Sequence, residues 1–259
     1  MKIDIVEKDR LLDVSISLDE KRSFSCVLSP PDSNVTLVDV LPELYEIYTN
    51  ILDIDFKESA RRGKPARCVK GCVSCCYQLI TVSVHEALLL AHIVDMLCRE
   101  DQERIRSAFD NGLMRLEKAG LLRHLLYSHL NEFGNREVVV DAQKRYWDLE
   151  LSCPFLIENA CAIYPYRPFI CRQYCVSSDP EHCRNVFKKD HLIERVRLSH
   201  DLGSAAASFD GLDAINTRTI PLPAIFLVRG VLNCFERPKA TAGIMITRLL
   251  CHADKHFGR

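Results

Sequence analysis

Apolar periodicity predicts a mainly α protein with a small β component. Apolar residues recur at helical spacing along most of the chain, and loose alternation is confined to the first 28 residues. No strand–helix repeat or other internal repeat is present. The 259 residues are 47% hydrophobic and 27% charged, enough for one large domain or two small ones with a buried core. A formal net charge of −1 gives no global basic field, so nucleic acid is not the expected partner.

The elements follow in order. Residues 1–28 (KIDIV, LLDVSISL) read as a short β-hairpin or edge strands, followed by the turn-rich SPPDSN at 29–34. Residues 35–59 carry helical spacing through Leu44, Ile47, Tyr48, Ile51 and Leu52, and RRGKPAR then breaks the pattern. Ser83 and Glu86 have capping-box spacing and open a helix to about residue 99, and Asp101 is the expected cap of the next. In that helix Ile105, Phe109, Leu113 and Leu116 share a face, with Gly120 as the stop. LLRHLLYSHL adds one or two helical turns. FLIENACAI at 155–163 places two apolar triplets around Glu-Asn-Ala, the pattern of a tight hairpin. Helix resumes after Pro168 and is expected to dominate from 180 onward, broken at Pro221 and Pro223. The expected organisation is an N-terminal hairpin and helix (1–60), a cysteine-cluster domain packed among helices (61–190) and C-terminal helices packing on it (191–259).

The N-terminus is charged from its second residue and lacks a secretory apolar stretch, while AIFLV at 224–228 is too short to span a bilayer. The expectation is a cytoplasmic protein with no membrane partner, in a compartment that keeps thiols reduced. Thirteen cysteines, an odd number, then point to ligands, catalytic groups or core residues rather than disulfides.

Nine of these cysteines fall in two groups. Cys68, Cys72, Cys75 and Cys76 form the first; Cys153, Cys161, Cys171 and Cys175 form the second, trailed by Cys183. Positions i, i+4, i+7 and i+8 share one helical face, so even a partly helical segment aims the first four thiols together, with Gly71 as a local break. Cys171 and Cys175 repeat the i, i+4 spacing after Pro168, which suits a first helical turn. Thiolates select zinc, copper(I) or iron–sulfur clusters. Two sets of four suit two zinc ions, each held by four cysteines, or one iron–sulfur cluster with cysteines to spare. The C-x3-C-x2-C spacing and the adjacent Cys75-Cys76 pair tilt the reading towards iron–sulfur, because neighbouring side chains diverge. Cys26, Cys98, Cys234 and Cys251 stand alone and read as small core hydrophobes.

CVKGCVSCC, then CPFL, then CAIYPYRPFICRQYC resembles the YkgJ-type CxxCxxCC family, named for a zinc- or iron-chelating cysteine cluster. Its eight-cysteine pattern maps onto Cys68, Cys72, Cys75, Cys76, Cys153, Cys161, Cys171 and Cys175. Pro154-Phe155-Leu156, Ile163-Tyr164, Arg167-Pro168 and Cys171-Arg172 agree as well, over about residues 66–177. The resemblance implies a metal site and no particular reaction. A related pattern occurs in flagellin lysine N-methylases, which are associated with an iron–sulfur cluster; this chain is shorter and carries no convincing glycine-rich S-adenosylmethionine loop. The spacing is also similar to that of radical S-adenosylmethionine enzymes, against which the fourth adjacent cysteine and the missing strand–helix repeat argue.

Arg167 and Arg172 bracket Pro168 and Cys171 and are candidates to bind the cofactor, by hydrogen-bonding cluster sulfur, or to hold a carboxylate. Tyr164 and Phe169 are expected to pack over the site and exclude water. Lys57, Arg61, Arg62, Lys64, Arg67 and Lys70 face a single acid, Glu58, and read as a solvated linker offsetting thiolate charge, or as an anion patch. His252 and His256 have chelating spacing but read as an exposed helix end, and His85 and His182 are weak candidates for a ninth ligand. Three functions follow: a structural or electron-transfer metal protein, a lysine N-methylase-like enzyme, and a metal-stabilised module that binds an unidentified protein or nucleic acid. Neither a catalytic residue nor a reaction follows from the sequence.

Overall fold

The computed structural model describes residues 1–31, 33–69, 71–130, 136–188, 192–210, 215, 217–234 and 236–259, with the side chains of these except 127–130 and 136. The fold is mainly α with a small β component. Among the described residues, no helix is long and apolar enough to cross a membrane.

The N-terminal segment exceeds the expected hairpin. Strands β1 (Lys2–Lys8), β2 (Leu11–Ser17) and β3 (Ser23–Leu28) form an antiparallel meander, with Ile5 opposite Val14 and Val14 opposite Cys26. Asp9 and Arg10 both take positive φ (50° and 66°), the geometry of a two-residue turn matched to strand twist. Leu12, Val14 and Ile16 alternate inward onto the core. Helix α1 (Leu41–Arg61) carries Pro42 in its first turn and buries Leu44, Ile47, Tyr48, Ile51 and Leu52 as their spacing requires. It stops at RRGKPAR because Gly63 takes φ 76°; the Gly63 and Lys64 amides then bond back to the Ala60 and Ser59 carbonyls. This is a Schellman closure, and it satisfies carbonyls the helix end would leave open.

Strand β4 (Thr81–Ser83) leads into α2 (Val84–Met96), where the Ser83–Glu86 capping box is present in both directions. The helix ends three residues before the expected position. Helix α3 (Arg99–Lys118) is capped at Cys98 and not at Asp101, which lies in its first turn, 3.3 Å from the Cys98 thiol. Gly120 takes φ 65° at the expected stop. Helices α4 (Leu122–Leu130) and α5 (Arg136–Asp148) follow; the second has no counterpart among the expected elements. Leu116, Leu121, Leu125, Ala142, Tyr146 and Leu151 make a satellite apolar cluster here.

The 155–163 hairpin is real but minimal: β5 (Leu156–Ile157) and β6 (Ala160–Cys161) turn through Glu158 and Asn159, both at positive φ. Helix α6 (Phe169–Gln173) is short. The region from 180 is less helical than its periodicity suggests. A 3-10 turn (Pro180–Asn185) and irregular chain precede α7 (Leu202–Ser208), β7 (Thr219–Pro221), α8 (Ile225–Asn233) and α9 (Ala242–Phe257). Strand β7 pairs antiparallel with β4, Val82 opposite Ile220, a long-range match that no local pattern signals. The main core joins segments from the meander to α9: Leu12, Ile47, Leu90, Phe169, Ile220 and Leu249 belong to one cluster.

Candidate metal centre

The first cysteine group is not helical. Gly71 takes φ 90°, and only Ser74–Tyr77 forms a 3-10 turn. The thiols are gathered by cross-chain hydrogen bonds instead. The Cys153 amide donates to the Cys76 carbonyl at 2.7 Å, the Arg67 amide to the Val176 carbonyl at 2.8 Å, and the Val196 amide to the Cys175 carbonyl at 2.9 Å. Cys171 lies within α6, but Cys175 lies beyond its end, because Tyr174 already leaves helical backbone. The i, i+4 expectation therefore fails for the second pair as well.

The two distant groups nevertheless converge. Cys75 sits centrally, within electrostatic reach of Cys68, Cys76, Cys153, Cys161, Cys171, Cys175 and Cys183. Its side-chain interaction with Cys76, then burial, pushes its pKa far above the ordinary thiol range. Burial chiefly pushes Cys153, Cys161 and Cys171 up too. The Cys175 thiol donates to the Arg172 carbonyl at 3.8 Å, and interaction with Cys175, aided by the Val176 amide and the charge of Arg167, draws Cys68 below the ordinary thiol range and pushes Cys175 above it. Burial thus favours the neutral thiol at Cys75, Cys153, Cys161 and Cys171.

Cys183 joins this group, 3% exposed and facing Cys75, Cys68 and Cys72; burial and those neighbours push it up to about 11. Gln78 holds its backbone, donating to the Cys183 carbonyl at 2.8 Å and to the Tyr174 hydroxyl at 3.2 Å. Neither Gln78 nor Tyr174 carries a signal in the sequence. Cys98, Cys234 and Cys251 are exposed and Cys26 half-buried, so the expectation that all four are core residues is corrected.

The two arginines separate in role. Arg167 lies 4.0 Å over the Tyr164 ring, and its charge favours the thiolate forms of Cys68, Cys161, Cys171 and Cys175. Its Nε is buried without a hydrogen-bond partner among the described residues. Arg172 instead donates through Nε to the Arg167 carbonyl at 2.7 Å, through Nη2 to the Pro165 carbonyl and through Nη1 to Thr49 at 3.2 Å. It binds no sulfur in this arrangement; it fixes the loop that presents Arg167.

Phe169 is 0% exposed and makes edge contacts with Tyr45 (4.8 Å) and Tyr48 (5.5 Å), so it anchors α6 to α1. Tyr164, 48% exposed, supports Arg167 and seals nothing. Glu86 has a second use beyond its capping box: its carboxylate also accepts the Phe169 amide at 2.7 Å, at the start of α6. Capping-box spacing reveals the first role; the second is tertiary.

The histidine candidates lie elsewhere. His252 is buried (2%) and bonded to Ser208 at 2.9 Å, not exposed at a helix end. His85 reaches the Phe209 carbonyl at 3.2 Å and lines a separate cavity, while His182 faces the Leu192 carbonyl. The basic run is solvent-exposed, irregular after Gly63, and partly paired: Arg61 and Arg62 with Glu58, and Lys64 with Glu194. Lys70 lies outside the described residues.

Among the described residues, no group of three or more His, Cys, Asp or Glu is drawn together closely enough to hold a metal ion as it stands. No family model, curated protein or solved structure matches the chain. The site is therefore read from its own chemistry.

Proposed function

We propose that the chain is a thiolate metal-binding protein, with zinc or an iron–sulfur cluster held by the eight motif cysteines in a structural or electron-transfer role. The observation that carries this reading is the convergence of Cys68, Cys75, Cys153, Cys161, Cys171 and Cys175 from distant segments around Cys75. Apolar packing alone gives no reason to collect so many sulfurs in one place.

The donor set fits a soft metal in kind. Sulfur supplies the ligands, and Arg167 supplies a nearby positive charge with a buried, unpartnered Nε available to an anionic thiolate group. Because most of the thiols hold their protons more tightly than usual, binding would release protons, so affinity should grow with pH. Side-chain rotation has to close the sulfurs onto the metal, since no three described ones are so placed as they stand. A bound metal would supply cross-links in a region poor in regular structure.

Anaerobic purification followed by elemental analysis and a visible spectrum tests this. The expected result is bound zinc, or iron with sulfide and visible absorbance, both lost in a Cys75→Ser/Cys171→Ser variant. Protein free of both metals, with all thiols titrating as free, would refute the reading.

A further inference from the structure

A second site lies beside the segment that follows Cys175, whose Ser177 lines it. A cavity of 420 Å³ is bordered by Arg22, Arg62, Lys64, Arg195, Arg197 and Arg259. These come from the β2–β3 turn, the end of α1, the segment after it, the 195–199 stretch and the last residue of the chain. Backbone bonds hold the pieces in place: the Arg259 amide donates to the Ser199 carbonyl at 2.8 Å, and the Ser177 amide to the Glu194 carbonyl at 2.8 Å.

Six cations around one cleft repel each other, and a chain of net charge −1 has no general excess to place there. Some of that charge is answered internally. Arg22 pairs with Asp19 at 2.6 Å and lies 3.6 Å from Asp55, Arg62 pairs with Glu58 at 2.9 Å, and Lys64 with Glu194 at 3.3 Å. The two acids of the lining are themselves engaged: buried Asp55 accepts the Ser199 amide at 2.8 Å and its hydroxyl at 3.0 Å, and Glu58 holds Arg61 and Arg62. The carbonyls ending α1 are closed by the Gly63 and Lys64 amides. Arg195, Arg197 and Arg259 remain with no carboxylate partner among the described residues. Arg195 is pre-oriented, lying 4.5 Å over the Tyr174 ring.

We propose that this cavity binds a small, non-aromatic polyanion, one carrying two or more phosphate or carboxylate groups. Three unanswered guanidiniums, each with a planar fork of donors, match such groups. The volume exceeds the need of a single simple ion. Among the described residues of the lining, Leu198 is the only apolar side chain, and no ring is there to stack a base or hold an apolar ligand. The site stands independently of any metal at the cysteines.

Calorimetric titration at physiological ionic strength, with inorganic pyrophosphate and citrate as separate probes, tests the proposal. The expected result is saturable one-to-one binding of at least one probe, and the tighter of the two identifies the anionic group recognised. Arg197→Gln with Arg259→Gln, both exposed and outside ion pairs among the described residues, should weaken binding at least about tenfold with melting temperature unchanged. Lys118→Gln, on α3 and away from the cavity, should leave it intact. No saturable binding of either probe by the unmodified protein would overturn the proposal, as would equal binding by the double variant.

Discussion

Helix α1 buries eight of its 21 residues, whereas none of the described residues from 68 to 79 is buried. The same contrast holds more widely. The meander, α1, α2 and α9 share one continuous apolar cluster, while the cysteine segments consist of 3-10 turns, a two-residue hairpin and a five-residue helix. The body is held by apolar burial and regular hydrogen bonding, which need no ligand. The second cysteine group is tied to that body through Phe155, Ile163 and Phe169, whereas the segment from 68 to 79 has only a few backbone bonds and a cluster of thiols, and a metal cross-link would add to its cohesion.

The two regions meet at α6, and the largest effect is expected there. Phe169→Ala removes a ring packed between Tyr45 and Tyr48 and should cost about 3–5 kcal/mol in urea unfolding. It should also lower metal retention; a loss under about 1 kcal/mol would show that the regions are not coupled through this ring.

The body should show its own pH dependence, apart from the thiols. Burial draws His85 from its ordinary 6.5 down to about 4. The folded state therefore takes up the proton later than the unfolded chain, and stability is fully present above pH 6.5. It should fall by up to roughly 3 kcal/mol as the pH drops to about 4. His85→Gln, which keeps a donor for the Phe209 carbonyl, should flatten that slope; an identical slope in the variant would assign it elsewhere.

Ser83→Ala removes the capping box of α2 and should cost about 1 kcal/mol by thermal melting, without changing metal content. Smallest of all should be Cys98→Ser, Cys234→Ser and Cys251→Ser, each within about 0.5 kcal/mol, because these thiols are exposed. Metal lost on any of the three would place that cysteine in the centre.

How much of this is legible in the sequence follows the same division. In the body, local rules are sufficient: the spacing of Leu44, Ile47, Tyr48 and Ile51 defines α1, and Ser83 with Glu86 marks the start of α2. The β4–β7 pairing is hidden because its partners lie far apart in the chain and each strand has three residues. In the cysteine region, spacing points to the right residues but the wrong local structure. Gly71 at φ 90° breaks the helix that Cys68, Cys72, Cys75 and Cys76 would share, and tertiary hydrogen bonds set the convergence. Cys183 joins through its contact with Gln78 and Tyr174, which no spacing encodes. The role of Arg172 is hidden because its three acceptors, two backbone carbonyls and Thr49, lie in folded loops and on α1.

Amide hydrogen exchange, run before and after treatment with a strong chelator under reducing anaerobic conditions, addresses the contrast directly. Faster exchange confined to residues 66–78 and 153–188, with α1, α2 and α9 unchanged, is the predicted result. Identical exchange with and without chelator would contradict the account, because the cysteine region would then hold together without a metal.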